Sequence, residues 1–137
     1  MALDPKYSYA AVNAAQNAIS TALNSGKMRV YQSSGSPPTN ADDSANGTLL
    51  AELTLNSTFA PSASNGVLTA NTITSDSSAD AAGTADYFRL WNSGVTTCYF
   101  QGTAGIGATY NYNMDNNVIT LGAVVACTGL TLTLPRE

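Results

Sequence analysis

Beyond Gly26 the apolar residues of this chain recur at every second position, in short runs separated by Gly, Pro, Asn, Asp and Ser. Successive side chains of an extended strand point to opposite faces, so a period of two reads as half-buried β-structure. The runs are residues 27–33, 48–55, 66–74, 83–92, 95–102, 117–121 and 123–135, with 109–113 as a weaker eighth. In "TLLAELTL" the alternation places Leu49, Ala51, Leu53 and Leu55 on one face, and "GLTLTLP" turns Leu130, Leu132 and Leu134 inward. Seven or eight short strands with turn signals between them predict an antiparallel β-sandwich of jelly-roll or Greek-key type.

One segment departs from this period. In residues 4–25, Val12, Ala15, Ile19, Ala22 and Leu23 recur at helical steps. Asp4 is suited to cap such a helix, Pro5 to open it, and Gly26 to close it in the left-handed conformation. The expected organisation is an arm and helix over 1–26 followed by a β-sandwich over 27–137, one compact unit. The segment 33–47, with its Pro37-Pro38 pair, and the segment 75–83 read as surface loops. "NSG" at 92–94 reads as a tight hairpin turn with Gly94 at positive φ.

Charged residues make up only 10% of the 137 positions, so the polar surface must be built from Ser, Thr, Asn, Gln and backbone. The net charge of −4 arises from nine acids and five bases, and the bases (Lys6, Lys27, Arg29, Arg89, Arg136) are scattered along the chain. Nucleic-acid binding, which needs a basic patch, is not expected. No run has the length of a transmembrane helix, and "MALDPKYSYAAV" lacks the basic and apolar regions of a secretion signal, which predicts cytoplasmic synthesis and no membrane partner.

The chain contains no histidine. That removes the most frequent general base and transition-metal ligand; no Ser-Lys motif takes its place, and with Glu52 the only Glu outside the C-terminus a carboxylate pair could come only from Asp residues. The acidic stretches around Asp42 and Asp43, and around Asp76, Asp80 and Asp86, do not match a calcium-binding loop. "GTAGIGATY" (102–110) lacks the lysine of a phosphate-binding loop and reads as a flexible connector. No catalytic residue, cofactor or metal ligand is assigned, and an enzyme is not expected. Cys98 and Cys127 read as small buried hydrophobes, with a disulfide between them left open.

Contact residues are easier to name. Tyr87, Arg89 and Trp91 share one face of their strand and form a candidate contact stripe, of a kind suited to sugar or protein, while Phe88, Leu90, Cys98 and Phe100 are core candidates. Leu3, Tyr7 and Tyr9 of the arm, and Val12, Ile19 and Leu23 of the helix, are candidates for an interface with another chain.

The order of "LNSGKMRVYQSSGSPPTNADD", "GTLLAELTL", "ITSDSSADAAGTADYFRLW" and "GLTLTLP" resembles small virion proteins of tailed bacteriophages. The likeness covers nearly the whole chain. It implies a structural, non-enzymatic role, above all as a capsid decoration or cement protein on the exterior of the head. The partners so implied are the major capsid protein and further copies of the chain, with a trimer favoured. The alternative is a tail component or a receptor- or carbohydrate-binding module.

Overall fold

The computed structural model describes residues 3–136. The helix α1 spans Tyr9–Leu23 and is followed by nine short strands: β1 (Lys27–Gln32), β2 (Thr48–Thr54), β3 (Val67–Thr69), β4 (Gly83–Thr84), β5 (Tyr87–Trp91), β6 (Cys98–Gly105), β7 (Tyr112–Asn113), β8 (Val118–Ile119) and β9 (Thr131–Thr133). The fold is mainly β with one helix, as the change of period predicts. The strands do not form one antiparallel system. A five-stranded sheet in the order β2-β1-β5-β6-β7 is accompanied by two ribbons, β3-β9 and β4-β8. The five-stranded sheet is mixed, because β7 runs parallel to β6 through the pairs Ala104 with Tyr112 and Gly105 with Asn113. Among the described residues, no helix is long and apolar enough to cross a membrane.

The helix begins later than Asp4 and Pro5 predict. Ser8 is the cap, its hydroxyl accepting a hydrogen bond from the Ala11 amide at 3.1 Å. At the other end, Ser25 rather than Gly26 takes the left-handed conformation, with φ 56°. Gly26 is needed for space instead, since a β-carbon there would stand 2.1 Å from the Trp91 carbonyl oxygen. The buried stripe also differs from the alanine-lined one expected: it is Val12, Gln16, Ser20 and Leu23. Gln16 donates from Nε2 to the carbonyls of Gly66 and Leu132, both at 2.9 Å. Asn13, Asn17 and Asn24 accept from the amides of Gly66, Ala63 and Phe59 at 2.7, 2.7 and 2.8 Å. The helix is therefore stitched by side-chain amides to the irregular backbone of 59–66, and the amides of the buried Phe59 and Gly66 find their partners this way.

The core lies on one face of the sheet, where Met28, Val30, Leu53, Phe88 and Leu90 meet Leu50, Phe59, Leu68 and Leu132. Phe88 sits edge-on to Tyr112 at 5.9 Å and near Phe100 at 5.8 Å. Leu50, assigned by strict alternation to the other face of its strand, is fully buried, while Leu49 is only half-buried. A bulge opposite Val30 and Tyr31 causes the change: Val30 pairs with Ala51 and Tyr31 with Leu49, leaving Leu50 unpaired and turned inward.

Two connectors behave unlike their sequences. Gly102 to Gly105, read as part of a flexible loop, continue β6. In the β5–β6 hairpin the left-handed residue is Val95 (φ 54°), not Gly94, because Asn92 Oδ1 captures the amides of Thr96 and Thr97 and fixes the turn around it. A β-branched residue is strained there by about 1 kcal/mol or more. Val95→Gly is therefore expected to raise unfolding stability by about 1 kcal/mol, measured by urea denaturation.

Candidate functional site

The pairing of β1 with β5 sets Lys27 beside Trp91, Arg29 beside Arg89 and Tyr31 beside Tyr87. Three of the five bases, scattered in sequence, thus share one face of adjacent strands. A row of four side chains crosses the sheet, with Glu52 opposite Arg29 and Gln101 opposite Arg89. Arg29 Nε meets Glu52 Oε2 at 2.7 Å, and Arg89 Nε donates to Gln101 Oε1 at 2.9 Å. The Tyr31 and Tyr87 rings stack 4.8 Å apart, and the Arg89 guanidinium lies 5.9 Å from the Trp91 ring centre.

This face is covered by the chain itself. The segment 33–47 crosses it as a strap and accepts hydrogen bonds on its main chain. Gln101 Nε2 donates to the Pro38 carbonyl at 2.7 Å, Arg89 Nη2 to the Asn40 carbonyl at 3.2 Å, and the Tyr87 hydroxyl to the Asn46 carbonyl at 2.7 Å. The Asn46 amide returns a bond to the Tyr87 oxygen at 3.0 Å. At the root of the strap, Asp86 accepts from the Ser33 amide and hydroxyl. Tyr87 and Arg89 are consequently buried, Arg89 with 1% of its surface exposed, and Trp91 is half-buried. The three do not form an outward stripe. The reason is physical: a guanidinium and a phenol on a buried face need acceptors, and the strap's carbonyls supply them.

The other predicted interface residues separate into two sets. Leu3, Tyr7 and Tyr9 are exposed, and the arm is pinned where the Tyr7 amide donates to the Arg136 carbonyl at 2.9 Å and the Arg136 guanidinium covers the Tyr9 ring at 4.1 Å. Val12 and Leu23 are buried within the domain, and Ile19 packs against its core. These helix residues are internal packing, because the helix lays that stripe on its own domain. Of the expected core residues of the hairpin, Phe88 and Leu90 are fully buried, and Cys98 and Phe100 half-buried. Cys98 and Cys127 are both free thiols.

A surface that sequence reading missed lies around the turn that follows β8. Val118, Leu121 and Val124 are 57%, 71% and 69% exposed. Val118 and Val124 line a groove of about 400 Å³ formed by residues of 112–128, and Leu121 stands on the turn between two of its lining residues, Thr120 and Ala123. Leu121 and Gly122 (φ 80°) occupy the tip of a turn closed by the Ala123 amide on the Thr120 carbonyl at 3.0 Å. No group of three or more Cys, Asp or Glu residues among the described residues is placed to hold a metal ion. Comparison of the chain with models of protein families, with curated proteins and with solved structures gave no match.

Two expectations follow from the covered face and the buried acids. Gln101→Ala removes both the acceptor of Arg89 and the donor to Pro38, so it should cost about 1–3 kcal/mol and speed proteolytic cleavage within 33–47; unchanged cleavage would show that the strap is held elsewhere. Burial raises the thiols of Cys98 and Cys127 above their ordinary 9.0, and the phenols of Tyr31, Tyr87 and Tyr112 above 10.0, most strongly at Tyr112. The unfolded chain loses these protons first, so the folded state binds more protons at alkaline pH and stability falls as pH rises. With no histidine, urea midpoints should be level between about pH 6 and 8 and decline from about pH 9 upward.

Proposed function

We propose that this chain is a structural protein of a tailed-phage virion, a decoration or cement protein that seats on the exterior of the assembled head shell. The observation that carries this reading is the engagement of Arg29, Glu52, Asp76, Asp86 and Arg89 in the protein's own framework. Glu52 holds Arg29, Asp86 holds the root of the strap, Asp76 accepts from the amides of Glu52 and Ser78, and Arg89 is enclosed. What remains outside is mainly Ser, Thr, Asn and Ala, a skin that can be covered by a neighbour with little desolvation of charge. The likeness of the sequence to phage virion proteins points the same way.

In this reading the five-stranded sheet is one layer of a sandwich, and the ribbons β3-β9 and β4-β8 form an interrupted second layer. Its partners are the major capsid protein and further copies of the chain, with a trimer the simplest arrangement at a three-fold junction. Binding only to the assembled lattice would stabilise the shell by mass action. The carbohydrate-reading tail module draws less support, because the aromatic and cationic stripe it would use is under the strap.

Gold-labelled antibody against the chain, applied to virions of the phage that encodes it, should decorate the head surface at regular intervals. Heads stripped of the protein should rupture at lower temperature, and adding it back should restore their resistance. Label confined to the tail, or heads equally resistant with and without the protein, would overturn the proposal.

A further inference from the structure

The exposed cluster of Val118, Leu121 and Val124 sits on a turn tied by main-chain hydrogen bonds to residues 76–79. Gly122 donates to the Ala79 carbonyl at 2.9 Å, Ala79 to the Ala123 carbonyl at 2.8 Å, and Asp76 and Val125 exchange both main-chain bonds at 2.9 Å. Large aliphatic side chains kept in water on a pinned turn cost solvation free energy and do nothing for the core. The turn needs a residue such as Gly122 at its left-handed position, but nothing in its geometry requires leucine beside it.

The charge around this cluster has one sign. Asp115 lines the groove, Asp80 is exposed next to the Ala79 that anchors the turn, and no Lys or Arg lines the groove. Three of the chain's bases, Lys27, Arg29 and Arg89, lie instead on one face of the five-stranded sheet. We infer that this face is a docking site for a protein surface presenting an aliphatic centre flanked by lysine or arginine. A second copy meeting it through the same face would bring another pair of acids and no base to the groove, and like charges on both sides of a contact oppose pairing. A pinned turn loses little conformational freedom on binding, which favours a small contact. The inference concerns the chemistry of the partner and holds whether or not that partner belongs to a virion.

The test uses the whole chain, labelled with nitrogen-15, and two octapeptides with a Leu-Ile-Val-Leu centre, one flanked by lysines and one by glutamates. The lysine peptide should shift the amides of residues 118–125 saturably, and the glutamate peptide should bind about tenfold more weakly or worse. The exposed double variant Leu121→Ser/Val124→Ser leaves the net charge unchanged and should abolish binding. Asp80→Asn/Asp115→Asn should erase the preference between flanks while retaining the apolar contact. Equal binding of both peptides, or unchanged binding by the serine variant, would overturn the inference. So would sedimentation of the protein alone as an oligomer that the serine variant dissolves, because the face would then belong to a second copy.

Discussion

The architecture depends on enclosing one cation. β5 is central in its sheet and has four consecutive buried residues, Tyr87 to Leu90, so both of its faces must be covered. One face carries Phe88 and Leu90 and joins the apolar core. The other carries Arg89, whose charge could not be withdrawn from water without acceptors. Gln101 from β6 and the Asn40 carbonyl from the strap fill that role. The same strap satisfies Tyr87, and Asp86 ties down its beginning. A polar segment without regular structure thereby covers the face of the sheet away from the apolar core, held there by hydrogen bonds.

The helix obeys a similar rule. Its inner stripe contains Gln16 and Ser20 as well as Val12 and Leu23, and it lies against the irregular segment 59–66 that leads into β3. The two carbonyls that Gln16 reaches, Gly66 at the end of that segment and Leu132 in β9, lie at the join between β3 and β9, so one glutamine secures helix and ribbon together. Apolar burial drives association on this side, while the side-chain amides determine position.

These two features explain what was legible in the sequence. Local pattern revealed the helix, the change to a period of two, the strands around Val30, Leu53, Leu90 and Leu132, and the inward set of the final strand, because each depends on neighbours a few positions away. Cross-strand register was not legible. The meeting of Lys27, Arg29 and Arg89 on one face depends on pairing residues about sixty positions apart, and the covering of Tyr87 and Arg89 depends on where a loop comes to rest. The bulge at Leu50 inverted an alternation that was otherwise correct, and Val95 took the conformation that glycine would have adopted at less cost. In each case a side chain or main-chain partner remote in sequence overrode local preference. The apolar turn was missed because the alternation of 117–121 and 123–135 assigned its residues to strands, whereas only Val118–Ile119 and Thr131–Thr133 are strand there.

The segment 75–83, by sequence a solvated acidic loop, connects the protected edge of the sheet to that turn. β2 is an outer strand, and its free main-chain groups would invite pairing with other chains. Thr74 exchanges bonds with Thr54, Asp76 Oδ2 accepts from the Glu52 amide, and the Asp80 amide donates to the Leu50 carbonyl, so that edge is closed. Asp76, which helps close it, also exchanges bonds with Val125, and Ala79, the neighbour of Asp80, grips Ala123 and Gly122. Holding the edge of the sheet therefore also holds Leu121 and Val124 in water, with Asp80 beside them. One short segment both denies strand pairing to a neighbouring chain and presents a different surface to it, and that surface selects by shape and charge rather than by exposed backbone.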